Sequence, residues 1–266
     1  MDIYLLEAVI NGVLLGGVLA LLALGLNLIF GVIDVVWIAY ADIVMCGMYL
    51  IYLLYAGLGV LVHLLIIAPI LGSAPINQLL ATGGLLFFLQ NFATLLFGTD
   101  FRNLGIRLPI IELGDIYISY ARLMAFAVAL IGAVALYLFL KRTFIGTAIR
   151  AIAQDRDIIG LMGADQRRIY LFTSMIGGGL AGLAACLLAL QYDVHPFIGN
   201  TFGPLIFMIC VLGGLGDMIG GFVAAFVISQ IIAIGGYYAN TELSYVLAFT
   251  FFIVLMFVRP RGILSR

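Results

Sequence analysis

Between Ala8 and Ile33 the chain runs for 26 residues without one charged side chain, and stretches of comparable length recur to its end. That feature constrains the fold more than any other. Apolar residues make up 65% of the 266 positions and charged residues 9%, giving a mean hydropathy of +1.26. A soluble globule of this size needs a charged exterior that these numbers cannot supply, so the solvent is lipid. The apolar runs are continuous rather than alternating, which predicts helices and not barrel strands.

A membrane crossing takes about 20 apolar residues. On that measure the chain reads as an all-α, polytopic transmembrane bundle of about eight or nine spans, forming one domain over 1–266. Nine crossings are expected, at 8–33, 35–56, 58–71, 78–97, 117–140, 169–190, 197–213, 217–236 and 242–258. The seventh contains Gly199, Gly203 and Pro204 and is expected to begin as a half-helix. Glycine pairs four apart (Gly12 and Gly16, Gly178 and Gly182, Gly216 and Gly220) predict close helix packing, because lipid provides no hydrophobic drive between helices. MDIYLLEAV has no basic residue before its apolar run, so the first span is expected to be retained rather than cleaved.

Charge is concentrated in one place. Segment 141–168 holds six of the twelve Lys and Arg (Lys141, Arg142, Arg150, Arg156, Arg167, Arg168) against Asp155, Asp157 and Asp165. Arg259, Arg261 and Arg266 follow the last span. Basic loops stay on the cytoplasmic side. Four crossings separate these two regions and five precede the first, which places the C-terminus inside and the N-terminus outside. Segment 98–122 is then external despite Arg102, Arg107 and Arg122.

The residues exclude several chemistries. No GxxxxGK[ST] phosphate loop occurs, so ATP hydrolysis by the usual route is not expected here. His63 and His195 are far apart, and Cys46, Cys186 and Cys210 lie singly in apolar runs, so no catalytic cluster, disulfide, metal site or cofactor is expected. Nothing points to nucleic acid.

Polar groups at membrane depth are the stronger leads, since each is expensive unless paired or facing water. Asn27, Asp34, Asp42, Gln90 and Asn91 are such groups. The amides of Asn27, Gln90 and Asn91 both donate and accept, which suits a zwitterionic or amide-bearing solute; interhelical hydrogen bonding is the alternative. The Leu212-Gly213-Gly214-Leu215-Gly216-Asp217 stretch predicts a turn, with Asp217 capping the next helix. Residues Ala148 to Asp155 read as a short helix with no breaker, punctuated by Gly160 and Gly163. Ile152, Ile159 and Met162 are expected to offer apolar knobs to a partner's groove, with Arg150, Asp155 and Arg156 at the rim.

NGVLLGGVLALLALGLNLIFGVID at the start, LLFFLQNFATLLFGTD in the middle, RAIAQD and GLMGAD, LGGLGDMIGG and a closing VRPRGIL stand in an order that resembles the permease subunit of branched-chain amino acid ABC importers, the H-like form. The resemblance covers nearly the whole chain. It implies a multi-pass subunit of the cytoplasmic (inner) membrane that pairs with a second permease chain and two cytoplasmic ATPase subunits, and receives solute from an extracytoplasmic binding protein. It also implies that Arg150, Ala151, Ile152, Ala153, Asp155, Gly160 and Gly163 couple the permease to the ATPase. Substrate-path candidates are Asn27, Trp37, Tyr40, Asp42, Gln90 and Asn91. Where relatives read Asn-Phe-Ala-His-Gly, this chain has Trp37-Ile38-Ala39-Tyr40-Ala41, and a short joint at 72–77 replaces a longer basic stretch. The competing reading is an ion-coupled secondary transporter or channel driven through Asp34 or Asp42; a membrane enzyme is disfavoured.

Overall fold

The computed structural model describes residues 3–35, 39–50, 69, 74–103, 109–113, 116–154, 165–238, 240–259 and 262–263. The helices are α1 (Ile3–Ile33), α2 (Tyr40–Leu50), α3 (Pro75–Phe97), α4 (Tyr120–Arg142), α5 (Phe144–Gln154), α6 (Gln166–Ala189), α7 (Ile198–Gly213), α8 (Met218–Tyr238) and α9 (Thr241–Val258). Two short strands, β1 (Ile110–Leu113) and β2 (Ile116–Ser119), pair antiparallel just before α4.

Among the described residues, six helices are long and apolar enough to cross a membrane: α1, α3, α4, α6, α8 and α9. The protein is thus a multi-pass helical bundle. The crossing expected at 58–71 lies outside the described residues, apart from position 69, and that expected at 35–56 is described only at 35 and 39–50. Helix α7 is one unbroken helix of 16 residues with Pro204 inside it, not a half-helix. The hairpin had no counterpart in the sequence reading, because Ile116-Tyr117-Ile118-Ser119 continues directly into the apolar run of α4 and periodicity alone does not separate them.

Helix α1 is the hub. Its 31 residues pack most extensively against α8 and then against α6 and α4, and Val18 to Ala23 are wholly buried. Gly12 faces Ala233 and Gln230, and Gly16 faces Ser229 and Phe226, so this pair provides the close approach of α1 to α8. On α6 it is Gly177, facing Ile29, that lets α1 in. Asp34 ends α1 in the left-handed region, at φ 55°, with its N–H returned to the Phe30 carbonyl at 2.8 Å; aspartate tolerates that conformation better than most side chains.

The two ends of the bundle are distinct. At one, Arg102 and Val194 form an antiparallel bridge, Asn103 donates to Asp193 at 2.7 Å, and Arg122 donates to Asn11 at 2.9 Å. At the other, Gly262 and Ile263 return to α7, with the Ile263 N–H donated to the Leu212 carbonyl at 2.8 Å. Segments 98–103 and 191–197 therefore share one end, and the 213–217 turn shares the other with Gly262 and Ile263.

Candidate solute path and coupling helix

A cavity of about 450 Å³ opens between α1, α2, α3 and α7, walled by Leu26, Leu79, Leu86, Pro204 and Phe207 with Tyr40, Asp42 and Asn200 among them. Its polar corner is built from three helices. Gln90 on α3 donates to Asp42 Oδ1 on α2 at 3.0 Å and to Asn200 Oδ1 on α7 at 2.7 Å. Gly199 makes the contact with α2 possible, since a Cβ there would come within 2.5 Å of Asp42 Oδ1. Asp42 is 1% exposed, and its Oδ2 is buried with no hydrogen-bond partner. Pro204 carries no N–H to return to the Asn200 carbonyl one turn before it, so α7 is locally short of a donor beside the same cavity.

A second cavity, of about 500 Å³, lies at the opposite end, where Asn27 and Gly31 of α1, Lys141 of α4, Ile149, Arg150 and Ala153 of α5, and the Gly216–Ile219 segment meet. Helix α5 begins at Phe144, four residues before the expected start. Thr143 caps it by accepting the Gly146 N–H at 3.0 Å. Gly146 sits so close to Leu140 and Phe139 of α4 that a Cβ would come within 2.5 Å of their backbone. Ile149 and Ile152 are buried against the bundle, while Arg150 and Ala153 face outward and Ala151 is half-buried. The apolar knob expected of Ile152 thus points into the protein's own core, because α5 lies flat on α1, α4 and α6. A helix seated this way is a handle fixed to the bundle, its polar face free.

A family model described as branched-chain amino acid transport system / permease component matches residues 8–256. The chain belongs to this family. The high-affinity branched-chain amino acid transport system permease protein LivH of Escherichia coli (strain K12) is 27% identical over 301 residues, covering 99% of this chain and 96% of that protein. BraD of Pseudomonas aeruginosa, described in the same words, is 28% identical over 294 residues, covering 98% and 96%. The probable branched-chain amino acid transport permease protein LivH of Methanocaldococcus jannaschii is 34% identical over 94 residues, covering 34% and 30%. No solved structure matches the chain. This protein is therefore a membrane-spanning permease.

Within the permease, the sequence-derived candidates separate. Asp42 and Tyr40 line the first cavity, and Gln90 reaches it through its bonds to Asp42 and Asn200. Tyr40 also reaches into the seam between α1 and α6, donating its hydroxyl to the Gly177 carbonyl at 3.3 Å, beside Gly25. Its ring thus closes two helices together. Asn91 turns away from the cavity, donating to the Phe87 carbonyl of its own helix at 2.7 Å from an exposed position. Asn27 lies at the other end. It accepts the Gly216 N–H at 3.4 Å and donates to the Asp217 carbonyl at 3.3 Å, pinning the glycine turn to α1. Asp217 caps α8 as expected, accepting N–H groups from Ile219 and Gly220 at 3.0 and 3.1 Å. Trp37, Asp155, Gly160 and Gly163 lie outside the described residues. Asn200, inside the crossing expected at 197–213, was missed by sequence reading, and only its hydrogen bond from Gln90 of α3 shows its partner.

Proposed function

We propose that this permease is the translocation subunit of an ATP-driven importer, carrying branched-chain or other neutral amino acids inward by alternating access. The observation that carries the reading is the seating of α5. Ile149 and Ile152 anchor it to α1, Arg150 and Ala153 face away, and the cavity beneath it reaches the α7–α8 turn through Asp217. Force applied to the outer face of α5 would reach α1 and α7 together, and these two helices wall the first cavity. An absent nucleotide loop in the chain and the names of its relatives support an external engine.

In this reading the chain is one domain with segment 141–168 and the C-terminus in the cytoplasm and the N-terminus outside. Two ATPase subunits grip the segment from Arg150 to Gly163, a second permease chain completes the pathway, and an extracytoplasmic binding protein delivers solute. The chain contributes conformational work, and hydrolysis belongs to the partners. Tyr40, Asp42 and Gln90 contact the solute route; Trp37 adjoins it in sequence.

Reconstitution with the partner chains in proteoliposomes tests this. ATP-dependent uptake of leucine is expected, and Arg150→Glu should uncouple it, leaving basal ATP hydrolysis with little uptake. The buried acid at position 42 equally suits an ion-coupled carrier. Gradient-driven uptake by the chain alone, without ATPase subunits, would replace the importer reading with that one.

A further inference from the structure

Asp42 poses a chemical problem that the described protein does not solve. Its Oδ1 takes the Gln90 amide, but Oδ2 is buried without a donor. Among the described residues no cation lies within the helices around it: α1, α2, α3 and α7 carry no Lys or Arg, and α6, which also packs on α2, carries Arg167 and Arg168 only in its exposed first turn. A carboxylate in such surroundings is retained only if something else meets its charge.

The adjoining cavity says what that something is. A cavity of about 450 Å³ is of the size that takes a small organic ligand, and its walls are Leu26, Leu79, Leu86 and Phe207 rather than rings of oxygen. A hard cation such as Ca2+ or Mg2+ takes about six or more oxygen ligands, which these aliphatic and aromatic walls do not offer, and the described residues hold no cluster of three or more His, Cys, Asp or Glu for a softer metal. One charged point beside an apolar chamber matches a molecule with an ammonium group and an aliphatic body. The ammonium has donors to spare: one for Asp42, and another for the Asn200 carbonyl that Pro204 leaves without its helical N–H. In this conformation Oδ2 is closed off from water. The broad torsion of an aspartate carboxylate lets it turn toward the cavity at little cost, while Gln90, held by Asn200, keeps its base in place.

We propose that the Asp42 carboxylate is the docking point for the ammonium group of a neutral α-amino acid in transit, with the solute's aliphatic side chain lying in the cavity between α1, α2, α3 and α7. This rests on the reading of the chain as an amino acid permease, and it adds the residue that recognises the solute and the part of the solute recognised. Asp42 selects for the ammonium, and the Leu26–Leu86–Phe207 wall selects for an uncharged side chain. The solute's carboxylate is directed away from Asp42 by like-charge repulsion.

Ligand competition on the intact, detergent-purified chain decides the matter without ATPase subunits. Labelled leucine is displaced by unlabelled leucine, by leucinol (ammonium kept, carboxylate removed) and by 4-methylpentanoate (carboxylate kept, ammonium removed). Leucinol should compete within a fewfold of leucine, and 4-methylpentanoate at least about tenfold more weakly, the discrimination a buried polar partner gives. Asp42→Asn should weaken leucine by about tenfold or more while leaving a monodisperse chain. Equal competition by 4-methylpentanoate and leucine on the unmutated chain, or no detectable leucine binding to it, overturns the inference whatever the variant does. Uptake by the full assembly is scored separately. ATP-driven leucine uptake that survives Asp42→Asn unchanged would sink the ammonium site and leave the importer standing. Loss of ATP dependence with the binding order intact would do the reverse.

Discussion

Ile263 donates its amide to the carbonyl of Leu212 at 2.8 Å, tying the chain end to the last turn of α7. Gly262 before it adopts φ 101° and lies against Gly214, where a Cβ would press on the backbone amide. The closing residues are thus part of the same glycine turn that Asn27 pins from α1. Gly262→Ala combines left-handed strain of about 1–2 kcal/mol with a backbone clash. Thermal unfolding of the purified chain in detergent should fall by several degrees, and a midpoint within one degree of the parent would show that the tail does not dock.

Asn27 makes its hydrogen bonds to Gly216 and Asp217 from a wholly buried position. Asn27→Ala leaves the Gly216 N–H unmet, at a cost of about 1–3 kcal/mol. Stability should drop, and leucine competition by the folded fraction should keep its order and strength. Weakened binding at unchanged stability would return Asn27 to the solute path.

Gly146 permits α5 to lie against the end of α4. Gly146→Ala keeps helix propensity, indeed improves it by about 1 kcal/mol in isolation, yet forces the two backbones apart. Leucine binding should survive and ATP-coupled uptake should fall steeply. Full uptake in this variant would mean that the seating of α5 is not what transmits force.

Gln90 links three helices through Asp42 and Asn200 while only 4% exposed. Gln90→Leu removes both bonds and leaves a carboxylate unsupported, which should cost about 2–3 kcal/mol, as for a hydrogen bond to a charged group. Gln90→Glu places a second acid beside Asp42 and should weaken leucine binding further. A leucine variant as stable as the parent would remove Gln90 from this role.

On the opposite face, His195 packs on Phe101 with ring centroids 4.7 Å apart. Burial lowers its pKa from the ordinary 6.5, and Asp193 offsets this only in part. The undocked loop therefore binds protons more readily than the docked one, so docking is complete above the ordinary histidine range and weakens as pH falls through it. Hydrogen exchange across 191–197 should be faster at pH 5.5 than expected from intrinsic rates, relative to pH 7.5, and His195→Gln should abolish the difference. An unchanged profile in that variant would assign the effect elsewhere.

Much of the bundle was legible before any coordinates. Runs such as Ala8–Ile33 and the charges around Arg150 are local properties, and hydropathy reads local properties well. Asp217 as a helix cap followed from its place after a glycine break. The hairpin at 110–119 was missed although Gly114-Asp115 between two β-branched runs is a two-residue hairpin signal, because Tyr117 to Ser119 were absorbed into the apolar run of α4. Ile152 was assigned outward for want of a partner that only the tertiary packing supplies.

The polar residues show the division most sharply. Asn27, Gln90 and Asn91 look alike in sequence: each is an amide amid apolar neighbours, and each must find partners in lipid. Composition and hydropathy alone establish a membrane-dissolved helical bundle with one charged segment and with amides and acids at membrane depth, since those follow from the cost of placing side chains in hydrocarbon. Helix packing alone shows that Asn27 staples a turn, that Asn91 serves its own helix, and that Gln90 meets Asp42 and Asn200 beside a cavity. Hydrogen-bond partners lie as many as 221 residues away along the chain, and no local pattern specifies a contact that exists only once the helices have packed.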